Sequence, residues 1–160
     1  MPTGYRINRI LVPIDGSDWS EWAARHAVLL AQAYTAEVIF LHVVDEQLAA
    51  ELVHEGTLDG PALVRERLLE QGRTYLHHVR LLADDAGVTH REVLAEGDPC
   101  ALICDTATRE DVDVIVVGKI GRRGVRRILM GSITRRVIET ADRPVLVVTR
   151  APPEAAVTAS

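Results

Sequence analysis

Five short runs of Val, Ile and Leu limit the folds open to this chain more than any other feature. Three of the runs are nearly continuous in apolar residues, with no alternation of apolar and polar positions. Parallel strands that are covered on both faces have this pattern. The predicted strands are Ile10–Ile14, Val38–Val44, a weaker Thr89–Ala95, Val114–Val117 and Val145–Val148.

Helical patterns separate these strands. The first helix lies between the first two runs, and Ser17, Asp18 or Ser20 is predicted to cap it. Proline and glycine bound a second helix, at Pro61 and Gly87. We expect a third helix to open at Asp98-Pro99 and a fourth to run from near Ser132 to before Pro144. The stretch from Val44 to Gly60 is polar and poorly periodic, and reads as a long connection.

Alternation of strands and helices predicts an α/β fold with a five-stranded, doubly wound parallel sheet and helices on both faces. The chain has 160 residues, which favours one domain over residues 1–150. The remaining residues, 151–160, include two prolines and are expected to be an unstructured tail.

The charge balance narrows the possible partners. Acidic residues outnumber basic ones by 23 to 18, which disfavours a general nucleic-acid binder. No stretch is long and apolar enough to predict a membrane span, and the first six residues lack a signal-peptide core. A cytoplasmic location is expected.

The segment from Gly118 to Ser132 carries the chemical signal. Five cations and no acid lie within residues 119–127, which leaves 13 basic against 23 acidic residues elsewhere. A solvated basic turn, or one that docks an acidic patch or partner, explains this charge alone. The glycines favour a phosphate cradle, because they let backbone N–H groups approach an anion. Ser132 would add a hydroxyl at the positive end of a helix.

The cradle matches neither of two common phosphate motifs. The Walker Gly-Lys-Ser/Thr element is missing, and a Rossmann fingerprint would follow the first strand, not the fourth.

The spacing Gly118-x2-Gly121-x9-Gly131-Ser132 resembles the ATP-binding motif of the universal stress protein family. Further similar segments follow in the same order from about Arg9 to Val148. They are Val12-Pro13-Ile14-Asp15-Gly16-Ser17, Leu41-His42-Val43-Val44, Asp113-Val114-Ile115-Val116-Val117-Gly118 and Arg143-Pro144-Val145-Leu146-Val147-Val148.

The resemblance implies strand order 3-2-1-4-5 and a stress-response protein that binds ATP or another adenine nucleotide. It places Asp15 near the adenosine, Val43 in the adenine pocket, and the motif glycines with Ser132 and Ile133 at the ribose and phosphates. In this order the winding reverses between strands one and four, a position where ligands bind in open α/β sheets. The implied nucleotide-binding set is Pro13, Ile14, Asp15, Val43, Val117, Gly118, Gly121, Arg122, Gly131, Ser132 and Ile133.

One difference from the family motif leaves more than one nucleotide as a candidate ligand. Lys119-Ile120 stands where nucleotide-binding members commonly have a small hydroxyl residue followed by a basic one. An apolar Ile120 would reshape the pocket, so AMP and cyclic AMP remain alternatives to ATP. A divalent ion, Mg²⁺ or Mn²⁺, is expected to be held by the phosphates, without dedicated protein ligands.

Catalysis finds little support in the sequence. A slow ATPase or autophosphorylating enzyme would use the same pocket, but no catalytic base or nucleophile motif is visible. Cys100 and Cys104 read as core-facing residues, and His42 as a hydrogen-bonded interior histidine.

A homodimer is predicted through the last strand. Val145, Leu146, Val147 and Val148 form an edge strand in the implied order and carry no charge to discourage pairing.

Overall fold

A computed structural model describes residues 4–55, 60–121 and 130–151. Five strands and five helices lie within them. In chain order the elements are β1 (Arg9–Pro13), α1 (Asp18–Tyr34), β2 (Glu37–Asp45), α2 (Glu46–His54), α3 (Pro61–Asp85), β3 (His90–Gly97), α4 (Pro99–Arg109), β4 (Val114–Gly118), α5 (Ser132–Thr140) and β5 (Val145–Val148).

The strands form one parallel sheet in the order β3-β2-β1-β4-β5, which confirms the predicted fold and order. Pro13 of β1 is in register with Leu41 of β2, and Leu11 is in register with Ile115 of β4. The chain leaves β1 toward β2 and later returns on the other side of β1 as β4. The carboxyl ends of β1 and β4 therefore flank the point where the winding reverses.

Two cores lie on opposite faces of the sheet. On one face, α1 and α3 cover a core that includes Val12, Ile14 and Phe40. On the other, α4 and α5 cover a core that includes Leu11, Ile115 and Val117. Since side chains alternate along each strand, near-continuous apolar runs fill both cores at once.

Helix α2 was not predicted. It occupies the stretch read as a connection, and none of its side chains is fully buried. Its start is fixed by Asp45, whose Oδ1 accepts hydrogen bonds from the backbone N–H groups of Gln47 and Leu48. Such a cap stabilises α2, although the apolar periodicity of this segment is too weak to predict a helix.

Two finer expectations are confirmed. Ser17 is the residue that caps α1, because its Oγ accepts a hydrogen bond from Ser20 N at 3.1 Å. His42 is buried, and its Nδ1 donates to the Ile14 carbonyl at 2.6 Å. A side chain at Gly72 would clash with the His42 ring, so this glycine lets α3 approach β2.

Among the described residues, no helix is sufficiently long and apolar to cross a membrane. The predicted tail lies outside the described residues from position 152 onward.

Candidate functional site

Three segments converge where β1 and β4 end. A Cβ placed on Gly121 would lie 2.8 Å from Asp15 Oδ2, so the turn after β1 touches the loop after β4. A Cβ on Gly131 would lie 3.2 Å from the backbone nitrogen of Gly121. Gly131 N also donates to the Lys119 carbonyl at 2.8 Å. Asp15, Gly121 and Gly131 thus form one crevice wall, although up to 116 positions separate them in the sequence.

The turn after β1 is held rigid by its own hydrogen bonds. Asp15 Oδ1 accepts from Ser17 N at 3.0 Å and from Ser17 Oγ at 2.5 Å, and Ser20 Oγ donates to the Ser17 carbonyl at 3.0 Å. Gly16 has φ +81° and packs against the Tyr75 ring, which leaves no room for a side chain. The Asp15 carboxylate is therefore fixed in place at the crevice.

Helix α5 begins differently from the other helices that follow strands. Side chains cap α1, α2 and α4 through Ser17, Asp45 and Asp98. Gly131 stands at the equivalent position of α5, where no side chain of the described residues supplies a cap. The N–H groups of the first turn, with the positive end of the helix dipole, therefore face the crevice.

Two contacts seat α5 against the sheet. Thr134 is buried, and its Oγ1 donates to the Gly118 carbonyl at 2.8 Å. Gly118 itself packs against α1, since a Cβ there would lie 2.7 Å from the backbone carbonyl atoms of Trp19. Gly118 is thus required by helix packing. Gly121 lets the loop after β4 approach Asp15, and Gly131 lets α5 begin against the backbone of that loop.

The remaining predicted residues divide between the crevice and the core. Pro13 and Val43 lie on the α4/α5 side of the sheet. Val43 is two residues further along β2 than Leu41, the residue that pairs with Pro13. Val117 is buried in the core below α5. Ser132 and Ile133 are exposed in the first turn of α5. The side chain of Ile14 is buried on the α1/α3 face, while its backbone directly precedes Asp15.

Arg122 lies outside the described residues, as do its neighbours through residue 129. A cavity of about 290 Å³ lies between α1 and α3. Gly16 and Ser17 of the turn after β1 line it, together with Tyr75 and His78. Another cavity, of about 310 Å³, lies at the amino ends of the strands beside Arg9 and Asp113.

Charged side chains at the same edge of the sheet are mutually compensated. Arg136 of α5 makes a bidentate ion pair with Asp98, the cap of α4. Hydrogen bonds from Arg136 and from the Ala101 backbone hold the pKa of Asp98 below its ordinary value.

Sequence patterns alone did not indicate the Arg136–Asp98 ion pair or the hydrogen bond from Thr134 to Gly118, since each depends on how the elements are assembled in the fold.

The cysteines are unsuited to nucleophilic chemistry. Cys100 is buried, and Cys104 lies one turn further along α4. Burial and the neighbouring Cys100 raise the pKa of the Cys104 thiol to about 11, which keeps it protonated near neutrality.

The crevice offers backbone donors, a helix N-terminus and one fixed carboxylate, a combination suited to an anion that also carries donor groups. Among the described residues, no group of three His, Cys, Asp or Glu side chains is arranged to hold a metal ion.

Comparison with known proteins identifies relatives. The sequence model of the universal stress protein family matches residues 6–149. Universal stress protein MJ0531 of Methanocaldococcus jannaschii is 40% identical over 140 residues, covering 88% of this chain and 81% of that protein. The solved structure of MJ0577, from the same organism, aligns with a TM-score of 0.78 at 29% identity, covering 92% of this chain and 99% of that one. A universal stress protein solved in complex with cAMP shares the fold, with a TM-score of 0.59 at 23% identity over 89% of this chain and 97% of that one.

Proposed function

Because the chain belongs to the universal stress protein family, we propose that it is a regulatory protein that binds an adenine nucleotide in the crevice between β1 and β4. The phosphates lie against the first turn of α5 and the backbone of Gly121 and Gly131. Ser132 adds a hydroxyl donor. Asp15 and Val43 accommodate the adenosine, and Pro13 contributes to the floor of the pocket.

The start of α5, which no side chain of the described residues caps, is the observation that carries this proposal. The other three helices that follow strands use their own side chains to satisfy N-terminal donors, whereas α5 presents Gly131 there. An exogenous phosphate satisfies such donors and interacts favourably with the helix dipole. Ser132 and Ile133 are exposed at this turn and accessible to a ligand.

ATP is the proposed ligand, with Mg²⁺ or Mn²⁺ as its counterion. Divalent ions of this kind prefer oxygen ligands. Since the described residues offer no cluster that would hold a metal alone, the phosphates themselves supply most of its ligands. AMP and cyclic AMP remain alternatives; the neighbour solved with cAMP is similar in fold alone, so its ligand is a candidate to test.

Incubation with radiolabelled ATP tests the proposal. We expect the purified protein to retain ATP intact, and mass spectrometry of small molecules released on denaturation to find an adenine nucleotide. Conversion of the label to ADP at a sustained rate would favour the enzyme alternative. A protein that retains no nucleotide at millimolar ATP would refute the assignment and favour an interaction module built on the basic loop.

Catalysis is the weaker alternative because the described part of the crevice offers no carboxylate or histidine that is free to act as a base beyond the hydrogen-bonded turn after β1. Among the described residues near Gly131, Asp15 is the one carboxylate in contact with the motif, and two hydrogen bonds from Ser17 occupy its Oδ1. We expect any turnover to fall well below the roughly 1–100 s⁻¹ of kinases.

The partner proposed for β5 is a second copy of this chain. The two edges of the sheet differ in charge: β3 carries His90, Arg91, Glu92 and Glu96, whereas β5 is Val-Leu-Val-Val. Charged side chains on an edge oppose strand pairing. Antiparallel pairing of β5 across a two-fold axis would close the assembly as a dimer.

A further inference from the structure

An ion pair joins α4 and α5 across the carboxyl edge of the sheet. Arg136 Nη1 lies 3.0 Å from Asp98 Oδ1, and Nη2 lies 3.1 Å from Oδ2. Asp98 directly follows β3, and Arg136 lies four residues beyond Ser132 in α5. The backbone of Arg136 is therefore about 6 Å along the helix axis from the proposed phosphate contacts.

A second carboxylate adds to the local negative charge. Asp45 ends β2 and caps α2, so it lies at the same edge of the sheet as Asp98. The hydrogen bonds and charge of Asp98 raise the pKa of Arg136, and Cys100 and Asp45 add to this rise. Arg136 thus pairs directly with Asp98, and the Asp45 carboxylate lies at the same edge of the sheet.

We infer, on the basis of the proposed function, that Arg136 is a positioning residue that neutralises Asp98 and so lets the crevice accept a polyphosphate. Without this cation, the Asp98 carboxylate would repel a ligand bound at the start of α5. Charges that lie within the Debye length of about 8–10 Å at physiological ionic strength are incompletely screened. Repulsion grows with ligand charge, which makes Arg136 a determinant of selectivity for ATP over AMP and adenosine.

Binding of ATP, AMP and adenosine to wild type and variants tests this inference. We expect Arg136→Gln to weaken ATP binding roughly three- to tenfold, AMP less, and adenosine less than about twofold. The Arg136→Gln/Asp98→Asn double variant should recover part of the loss, because asparagine still caps α4 without a charge. Arg136→Lys, which keeps the charge, should bind ATP nearly as the wild type does.

Arg109→Gln is the matched control. It removes one exposed cation at the far end of α4, about 15 Å from Asp98 along the helix, and should leave the ratio of ATP to adenosine affinity unchanged. An equal loss for all three ligands in Arg136→Gln would reveal a structural role and overturn the inference. Unchanged ATP affinity, or no recovery in the double variant, would also overturn it. If the wild type binds none of the three, the proposed function fails, and this inference fails with it.

Discussion

At the scale of single residues, the motif glycines have two different physical roles. Gly118 is required because α1 packs on it, with the Trp19 backbone where a side chain would be. Gly131 is buried against the backbone of the loop after β4 and stands where the other helices that follow strands carry a capping side chain. We therefore expect replacement of Gly118 to lower stability and replacement of Gly131 to weaken nucleotide binding.

Replacement of Gly131 by valine should abolish nucleotide binding. Its Cβ would lie 3.2 Å from Gly121 N and 3.3 Å from Ile120 Cα, and its methyl groups would occupy space proposed for phosphate. We expect ATP affinity to fall at least tenfold in calorimetric titration, while circular dichroism remains that of a folded protein. Gly60→Ala is the control, because a Cβ there meets no atom within 4 Å. A folded Gly131→Val protein with wild-type ATP affinity would rule out this position for the phosphates.

Ser132→Ala should have a smaller effect. The alanine removes one proposed hydrogen bond to the ligand, worth about 0.5–3 kcal/mol, and leaves the helix backbone donors in place. Calorimetry should show a corresponding loss of ATP affinity with no change in unfolding midpoint. Full retention of affinity would remove Ser132 from the site.

Gly118→Ala should reduce stability before it affects binding chemistry. The added methyl group would overlap the backbone of Trp19, which cannot move without displacing α1. Overpacking of this kind costs about 1–3 kcal/mol. Urea unfolding measures the change. Equal stability of the variant and the wild type would show that α1 is not packed tightly against Gly118.

At the scale of elements, sequence patterns predicted the strands well and one helix not at all. The apolar runs located all five strands to within two residues at either end. The signal is strongest for β1, β2 and β4, which are largely buried, and weaker for the edge strand β3, in which no residue is fully buried. The α2 helix escaped prediction since no side chain in it is fully buried and its start depends on the Asp45 cap. In the site, glycine spacing located the loop, but contacts such as Thr134 to Gly118 arise only when β4 and α5 are assembled.

The β5 edge provides a prediction at this scale. Leu146 is 42% exposed, whereas Val147 packs partly into the α4/α5 core, so Leu146→Lys is the cleaner probe of the interface. We expect sedimentation analysis at micromolar concentration to show a dimer for wild type and a shift toward monomer for Leu146→Lys. Thr74→Lys, on the exposed surface of α3, serves as the control for added charge. A wild-type mass of one chain would contradict the dimer, and a Leu146→Lys dimer of undiminished affinity would place the interface elsewhere.

At the scale of the whole molecule, ion pairs at both ends of the sheet link stability to pH. Hydrogen bonding to Arg136 holds the pKa of Asp98 below its ordinary 3.8, and Arg91 holds the pKa of Glu110 below its ordinary 4.5. A carboxylate whose pKa is lower in the folded state stabilises the fold above its unfolded pKa, and this contribution is lost as pH falls.

The free energy of unfolding should therefore decrease as pH falls from about 5 to 3. Urea titrations at several pH values measure this change. Asp98→Asn should show a shallower decrease than wild type, because one of the linked carboxylates is gone. Stability that is flat or rising toward pH 3 would contradict the role assigned to these ion pairs.

We propose above all that an adenine nucleotide binds with its phosphates at the first turn of α5, which begins at Gly131. Nitrogen–proton correlation NMR spectra of the backbone amides, recorded during titration with ATP and Mg²⁺, test this binding mode most directly. Such spectra report on the backbone N–H groups themselves. We predict saturable shifts concentrated at the amides of Gly121, Gly131, Ser132 and Ile133, reduced in Gly131→Val. Saturable shifts confined to the cavity between α1 and α3, around Tyr75 and His78, with Ser132 and Ile133 unmoved, would contradict the account.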